Sequence, residues 1–219
     1  MHVSTPTVNR FLRLIAHEGV SRPHQIRSGS SPVIISAPHS VEQLRNGIRK
    51  AGEFQTGALA LLLHLHCACP CIYKTRNDRD DANFDRESPY KQDLIDYIRL
   101  HRVKCLLDLH QLSPVRAEAI NIGTGKEANL HKRMDYVKCA VELFTGAELI
   151  PVTIDKPFDA VYRDTISATI ARECRIPCLQ IEINSRLVCE RYPEYSFNIV
   201  LEMLEKIVQH IAQEVMHRA

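Results

Sequence analysis

Short apolar runs alternate with segments of helical periodicity along most of the chain. Apolar runs bounded by turn residues predict buried strands over residues 32–37, 70–74, 103–110, 119–123, 149–154 and 178–184. Apolar residues at helical spacing predict helices over residues 56–66, 90–101, 130–144, 165–173 and 196–217. Because strands that alternate with helices form βαβ units, we predict an α/β fold whose mostly parallel sheet is covered by helices on both faces.

The amino-terminal part has a different pattern. Residues 1–30 are typical of an amphipathic helix followed by a polar connector. Residues 1–219 show no internal repeat, so we expect one domain, long enough to bury well over half of its unfolded surface. The apolar patch near the start is too short for a signal peptide or for a membrane span of about 20 residues. We therefore expect a cytoplasmic protein without a membrane partner.

The charge balance and the positions of the cysteines argue against a nucleic-acid-binding protein and against a disulfide-stabilised one. Lys and Arg number 28 against 26 Asp and Glu, and no dense basic block occurs, which argues against nucleic-acid binding. Most of the eight cysteines lie inside apolar runs, which favours buried free thiols over disulfides. Cys67, Cys69 and Cys71 are closely spaced, but they lack the spacing of a zinc knuckle and a second cysteine pair. We interpret them as structural.

Three residues suited to metal chemistry fall at or near the carboxyl ends of predicted strands: His39, His110 and Glu182. In a parallel sheet the ligand binds beyond these strand ends, so we expect the three side chains at one rim. Two imidazoles and one carboxylate, with a fourth position left for water, form the ligand set of a catalytic zinc ion. The sequence therefore predicts a single Zn²⁺ site with His39 and His110 as ligands.

Two glutamates compete for the carboxylate position. Glu53 precedes the helix predicted from residue 56, where the chain can return beside His39. Glu42 lies three residues after His39, a spacing similar to that of zinc carboxypeptidases. We favour Glu53 and keep Glu42 as the alternative. Zinc suits the nitrogen-rich ligand set, although similar sites accept other divalent ions.

Two further carboxylates lie in predicted strands. Glu182 interrupts an apolar run, where a carboxylate is unfavourable unless it is paired or functional. Burial should raise its pKa, so we predict a general base, with an ion pair to Arg186 as the alternative. Asp108 shares a strand face with His110 and is placed to orient that imidazole. Its alternative role is to cap the strand end.

Candidate substrate contacts come from charged segments near strand ends. The loop over residues 76–86 is rich in charges and amides, and arginine forks bind carboxylates. Asn83 and Arg86 in this loop are therefore candidates, as are Arg116 and Arg186 further along the chain. A solvated surface loop is the alternative explanation for each loop residue. These cations indicate a small acidic substrate.

Several segments together resemble the N-formylglutamate amidohydrolase family. They include Pro-His-Ser at residues 38–40, Gly-Glu at 52–53, Asp-Asp-Ala-Asn at 80–83, Asp-Leu-His at 108–110, Ile-Gly-Thr at 122–124, Pro-Phe at 157–158 and Gln-Ile-Glu-Ile-Asn at 180–184. The resemblance implies a three-layer α/β/α, phosphorylase/hydrolase-like fold shared with zinc exopeptidases. It also implies hydrolysis of N-formyl-L-glutamate to formate and glutamate.

The chain departs from the family pattern at two positions. The family carries Gly after Pro-His-Ser and an Asp-x-Asn-Arg segment, whereas this chain has Val41 and Phe84 at the corresponding positions. The expected substrate is therefore an N-acyl amino acid, or else a γ-glutamyl or other peptide amide. A zinc exopeptidase or cell-wall amidase is the alternative enzyme, and a non-catalytic ligand-binding domain is the alternative of another class. The oligomeric state is not indicated.

Overall fold

A computed structural model describes residues 3–217. The strands are β1 His24–Arg27, β2 Val33–Ala37, β3 Gln43–Arg45, β4 Ile48–Lys50, β5 Cys71–Lys74, β6 Cys105–Leu112, β7 Ile120–Gly123, β8 Val152–Ile154 and β9 Cys178–Asn184. The α-helices are α1 Thr5–Glu18, α2 Phe54–Cys67, α3 Pro89–His101, α4 Met134–Gly146, α5 Ile166–Cys174, α6 Ser185–Val188 and α7 Phe197–His217. None of the helices within these residues combines the length and the apolar content needed to cross a bilayer.

Seven strands form one mixed sheet in the order β1-β5-β2-β6-β9-β7-β8. The four strands β5, β2, β6 and β9 run parallel, whereas β1 pairs antiparallel with β5 and β7 pairs antiparallel with β9. The central strands β2 and β9 are buried along their whole length, as expected for parallel strands covered on both faces. The prediction of a mostly parallel mixed sheet is confirmed.

Apolar side chains on the two faces of the sheet belong to separate clusters. Val33 and Ile35 of β2 point to one face and pack with residues of α1, α2, α4 and α7. Ile34 points to the other face and packs with residues of α3 and α5. Helices therefore cover both sides of the sheet, which confirms the three-layer α/β/α architecture.

The three strands β1, β3 and β4 and the short helix α6 were not predicted from the sequence. Within residues 1–30, where we expected only a helix and a polar connector, β1 pairs with β5 at the edge of the sheet. This strand has few apolar residues to mark it. The chain between β2 and α2 forms the hairpin β3–β4, whose second strand is exposed at all three residues and so has no burial pattern. Its signal is Asn46-Gly47, two residues with φ of 51° and 76° that suit a tight hairpin turn.

Candidate metal centre and rim cleft

The carboxyl ends of the central parallel strands bring the predicted site residues together. His110 of β6 lies beside Glu182 of β9 in the strand register. His39 follows β2, the neighbour of β6 on its other side. Glu53, just before α2, reaches the same place because its backbone N–H donates to the carbonyl oxygen of His39, at 2.7 Å. All four residues line one cavity at this rim of the sheet.

His39, Glu53 and His110 each bring an atom that can bind a metal to the same place. The Nδ1 atoms of His39 and His110 are 3.2 Å apart. Glu53 Oε1 lies 2.9 Å from His39 Nδ1, and Glu53 Oε2 lies 3.2 Å from His110 Nδ1. A tetrahedral zinc ion with bonds of about 2 Å places its ligand atoms about 3.3 Å apart. The spacing and the chemistry of these three side chains therefore fit a zinc ion.

Each imidazole is held by a buried carboxylate through its other ring nitrogen. His39 Nε2 lies 2.9 Å from Asp81 Oδ1, and His110 Nε2 lies 3.2 Å from Asp108 Oδ2. Both aspartates are fully buried. Carboxylates in this position orient metal-binding imidazoles and increase their basicity. The Nδ1 atoms are thus the ones directed towards the shared centre.

The charges of the cluster shift the pKa values of its members in opposite directions. Burial disfavours the imidazolium of His39, but the charge of Glu53 and hydrogen bonds to Asp81 and Glu53 outweigh it and raise the pKa to about 9. Burial likewise opposes protonation of His110, yet Asp108 and Glu53 raise its pKa well above the ordinary value. Burial would raise the pKa of Glu53, but the two imidazoles lower it to about 2. This anionic surrounding favours a cation between the two rings.

The pKa of Glu182 is shifted in the opposite direction from that of Glu53. The residue is only 6% exposed, and burial is the main cause that raises its pKa to about 7, with the positive charge of His110 opposing the shift. The amide of Gln180 donates to Glu182 Oε1 at 2.9 Å and fixes the carboxyl group. A carboxyl group with such a pKa can accept and return a proton near neutral pH. It is therefore suited to acid–base work at the rim.

The cavity above these residues, here called the rim cleft, has a volume of about 580 Å³. That size suits a small organic ligand. Its walls come from the hairpin β3–β4, the loop before α3 and the loop before α5. Besides the four central residues, it is lined by Gln43, Arg45, Lys50, Ala51, Asn83, Phe84, Gln111, Pro157, Phe158, Asp159, Ala160, Tyr162, Thr165 and Gln180.

The two candidate contacts from the charged loop have different positions. Asn83 lines the rim cleft, but its Oδ1 accepts a hydrogen bond from the backbone N–H of Ile166 at 2.7 Å and so helps to begin α5. Arg86 is exposed and lines a separate surface groove together with Arg163 and Arg172. The structure thus brings Asn83 to the candidate site and leaves Arg86 outside it.

The other two candidate arginines also lie outside the lining of the rim cleft. Arg116 stacks over Phe158, a lining residue, with its guanidinium carbon 5.0 Å from the ring centroid. Arg186 donates to the carbonyl oxygen of Arg116 at 3.2 Å and lines a different groove beside β8. Arg186 also forms no ion pair with Glu182 among residues 3–217. Arg116 is therefore at the edge of the cleft, and Arg186 is remote from it.

The two glutamates that competed for the carboxylate position are far from equivalent. Glu42 is exposed on the hairpin and lies 3.6 Å from Arg49. It does not line the rim cleft, whereas Glu53 contacts both imidazoles. The geometry favours Glu53 as the carboxylate ligand.

Sequence reasoning missed two residues of this site. Asp81, in an irregular loop, is as close to His39 as Asp108 is to His110. Arg45 of β3 donates through Nε to Asp81 Oδ2 at 2.8 Å, and its guanidinium lies 4.9 Å from the ring centroid of Phe84. Neither residue lies at the end of a predicted buried strand, so no periodic pattern marks them.

Comparison with solved structures finds this fold in several hydrolases. An N-formylglutamate amidohydrolase from Ralstonia eutropha JMP134 is 15% identical, with a TM-score of 0.58 over 90% of this chain and 99% of that chain. A bacteriophage poly-gamma-glutamate hydrolase is 15% identical, with a TM-score of 0.55 over 91% and 92%. A metallo-carboxypeptidase from Burkholderia cenocepacia is 13% identical, with a TM-score of 0.54 over 95% and 69%.

The comparisons of sequence, in contrast, find no match. No protein-family model matches the chain, and no curated protein matches it. At identities of 13–15%, the structural likeness concerns the fold. The resemblance to N-formylglutamate amidohydrolases, first indicated by short motifs, is thus confirmed at the level of a shared α/β/α architecture.

Proposed function

We propose that this chain is a metal-dependent amidohydrolase that cleaves the amide bond of an N-acyl amino acid such as N-formyl-L-glutamate. One observation carries the proposal: the donor atoms of His39, Glu53 and His110 converge at the base of a cleft that also contains Glu182. The shared fold with amidohydrolases and a metallo-carboxypeptidase supports it. Zinc is the proposed metal because two imidazoles and a carboxylate are its usual catalytic ligand set.

The side chains of the cleft have separate roles in this mechanism. A zinc ion held by His39, Glu53 and His110 would polarise the scissile carbonyl and acidify a water molecule. Glu182 takes the proton of the attacking water on its carboxylate and donates it to the nitrogen of the leaving amine. Its pKa of about 7 suits both transfers. Asp81 and Asp108 keep the imidazoles oriented through their Nε2 atoms.

Arg45 is the proposed contact for the carboxylate of the substrate. It lines the rim cleft, and its Nε bond to Asp81 fixes the plane of the guanidinium. Within residues 3–217, Arg45 forms its ion pair with Asp81 through the Nε atom. The two terminal nitrogens of the guanidinium are therefore left for a ligand. A guanidinium fork suits a carboxylate. The guanidinium of Arg45 also stacks on the ring of Phe84. At the position of Phe84 the family pattern carries arginine.

Changing Arg45 should remove the preference for a carboxylate. We expect Arg45→Met to lower kcat/KM about 10- to 100-fold for an N-acyl amino acid, because charged hydrogen bonds contribute about 1.5–3 kcal/mol. The matching C-terminal amide of the same substrate should be hydrolysed as before. Arg49→Met is the control, since Arg49 is on the same hairpin but pairs with Glu42. Equal losses on both substrates, with metal content intact, would contradict the assignment.

Metal binding should release protons from the imidazoles. The carboxylates around the two rings raise both of their pKa values in the protein without metal and so favour protonated imidazole, whereas a metal binds the neutral ring. Loading zinc at pH 7 should therefore release protons from these rings, and fewer above the pKa of about 9 of His39. Calorimetric titration in buffers of different ionisation enthalpy measures the number of protons released. Binding without proton release at pH 7 would argue against these two ligands.

Metal analysis and a substrate panel test the function directly. We expect about one zinc per chain after gentle purification, and hydrolysis of N-acyl amino acids that stops on chelation and returns with zinc. γ-Glutamyl dipeptides and longer peptides belong in the panel, because preference for them would favour the exopeptidase or amidase alternative. A protein with neither metal nor hydrolysis would be a binding domain. A single domain, a cytoplasmic location and the lack of a nucleic-acid partner stay predictions.

A further inference from the structure

A second cavity lies at the other end of the parallel strands from the rim cleft. It is bounded by Val103 and Lys104, just before β6, and by Ile176 and Pro177, just before β9. Since β6 and β9 run parallel, this is the amino end of both strands, and the candidate metal centre is at their carboxyl end. The cavity has a volume of about 540 Å³ and shares no lining residue with the rim cleft. We call it the basic pocket.

The charged residues that line the basic pocket are all cations. Five are cations and none is acidic, and the cations are Arg99, Arg102, Lys104, Arg133 and Arg175. The whole chain is nearly balanced, with 28 basic and 26 acidic residues. The cations are therefore concentrated here rather than spread evenly over the surface.

Nearby carboxylates neutralise only part of this charge. Arg133 contacts Asp135 and Glu214, and Arg99 lies 3.9 Å from Glu173. Arg102, Lys104 and Arg175 form no ion pair within residues 3–217. An anion in the pocket would find three exposed cations that form no ion pair within these residues.

Helix dipoles account for three of the five cations, because Arg99 lies in the last turn of α3. Arg102 and Arg175 follow the carboxyl ends of α3 and α5, where a positive charge is favourable. Lys104 precedes a strand instead. Arg133 precedes the amino end of α4, where the helix dipole disfavours a cation. Helix dipoles therefore do not explain why all five cations surround one cavity.

The floor of the basic pocket is apolar. It includes Ile98, Val103, Tyr136, Ile176 and Pro177. The guanidinium carbon of Arg133 lies over the ring of Tyr136, 3.8 Å from its centroid, so that Arg133 forms part of this surface. A ligand that uses both features has a planar or apolar body and a strongly anionic group. The volume is within the range of sites for small organic ligands.

We propose that the basic pocket binds an organic polyphosphate, with a nucleoside triphosphate as the class that fits best. Arginine forks recognise phosphate oxygens, and several cations on one rim match several phosphates. The base and ribose would cover the apolar floor. This site is independent of the proposed amidohydrolase reaction.

Calorimetric titration with three probes tests the proposal: ATP, inorganic triphosphate and adenosine, each with excess magnesium. We expect ATP to bind more tightly than either part alone. Changing both Arg102→Ala and Arg175→Ala should weaken ATP binding at least about tenfold, because each removes charge-assisted hydrogen bonds. The matched control is the double change Arg10→Ala and Arg13→Ala, two exposed arginines on α1.

Three results would overturn the proposal. One is no ATP binding at millimolar concentration. Another is unchanged affinity in the Arg102 and Arg175 double variant, with the fold verified by its melting curve. The third is binding of inorganic triphosphate as tight as that of ATP, since the apolar floor would then have no role. The proposed hydrolase reaction would stand or fall separately, by metal content and turnover.

Discussion

A Glu182→Gln protein should lose about 10²–10⁴-fold in kcat on every N-acyl amino acid that it accepts, while it keeps its metal. The amide has nearly the same shape as the carboxyl group and can still bond to Gln180, so the cleft is preserved. It cannot take a proton from water, however. Because Glu182 is not one of the three convergent donors, its replacement should leave metal content unchanged.

Steady-state kinetics and elemental analysis on the same preparation check this result. Asp159→Asn is the matched control, because Asp159 lines the same cleft and its carboxylate accepts a turn hydrogen bond from the N–H of Val161, which an amide oxygen can also accept. We expect that control to keep most of its turnover. Full activity of Glu182→Gln would remove the general base from the mechanism, and joint loss of metal and activity would make Glu182 a ligand.

Replacing Glu53 should have a comparably large effect of a different kind. Glu53→Gln should lose both bound metal and activity, because the charged carboxylate contacts the Nδ1 atoms of both imidazoles. Loss of an outer hydrogen-bond partner of a metal ligand typically costs about 10- to 100-fold in metal affinity, and loss of a ligand should exceed this. Metal affinity by competition with a chelator measures the change.

Glu42→Gln is the control that decides between the two glutamates. Glu42 is exposed and paired with Arg49, so its loss should change neither metal affinity nor turnover. Circular dichroism and melting curves are needed for both variants, since Glu53 also pairs with two buried imidazoles. If Glu42→Gln lost the metal and Glu53→Gln kept it, the proposed ligand set would be wrong.

Strand-end reasoning identified the residues that regular structure places. His110 and Glu182 lie on neighbouring parallel strands, so the register alone puts them side by side. Asp108 follows from the alternation of side chains along β6, two residues before His110. The position of His39 follows from the end of β2. In each case a periodic backbone relates the sequence spacing to a distance in space.

Irregular segments account for what the sequence did not reveal. Asp81 reaches His39 from a loop, and Arg45 reaches Asp81 from a hairpin, each without a repeating pattern. Arg86 and Arg186 were candidates because they belong to charged segments near predicted strand ends, yet they line other grooves. The path of a loop depends on contacts with distant residues, and local composition does not specify these.

The sequence by itself determined the α/β class, the buried parallel strands and the set of chemical groups at their ends, because burial and backbone periodicity leave a direct pattern in the residues. Tertiary structure alone decided that Glu53 rather than Glu42 faces the imidazoles, that Asp81 supports His39, and that Arg45 enters the cleft. It also brought five cations from separate elements to the opposite edge of the sheet. These arrangements rest on packing between segments far apart in the chain.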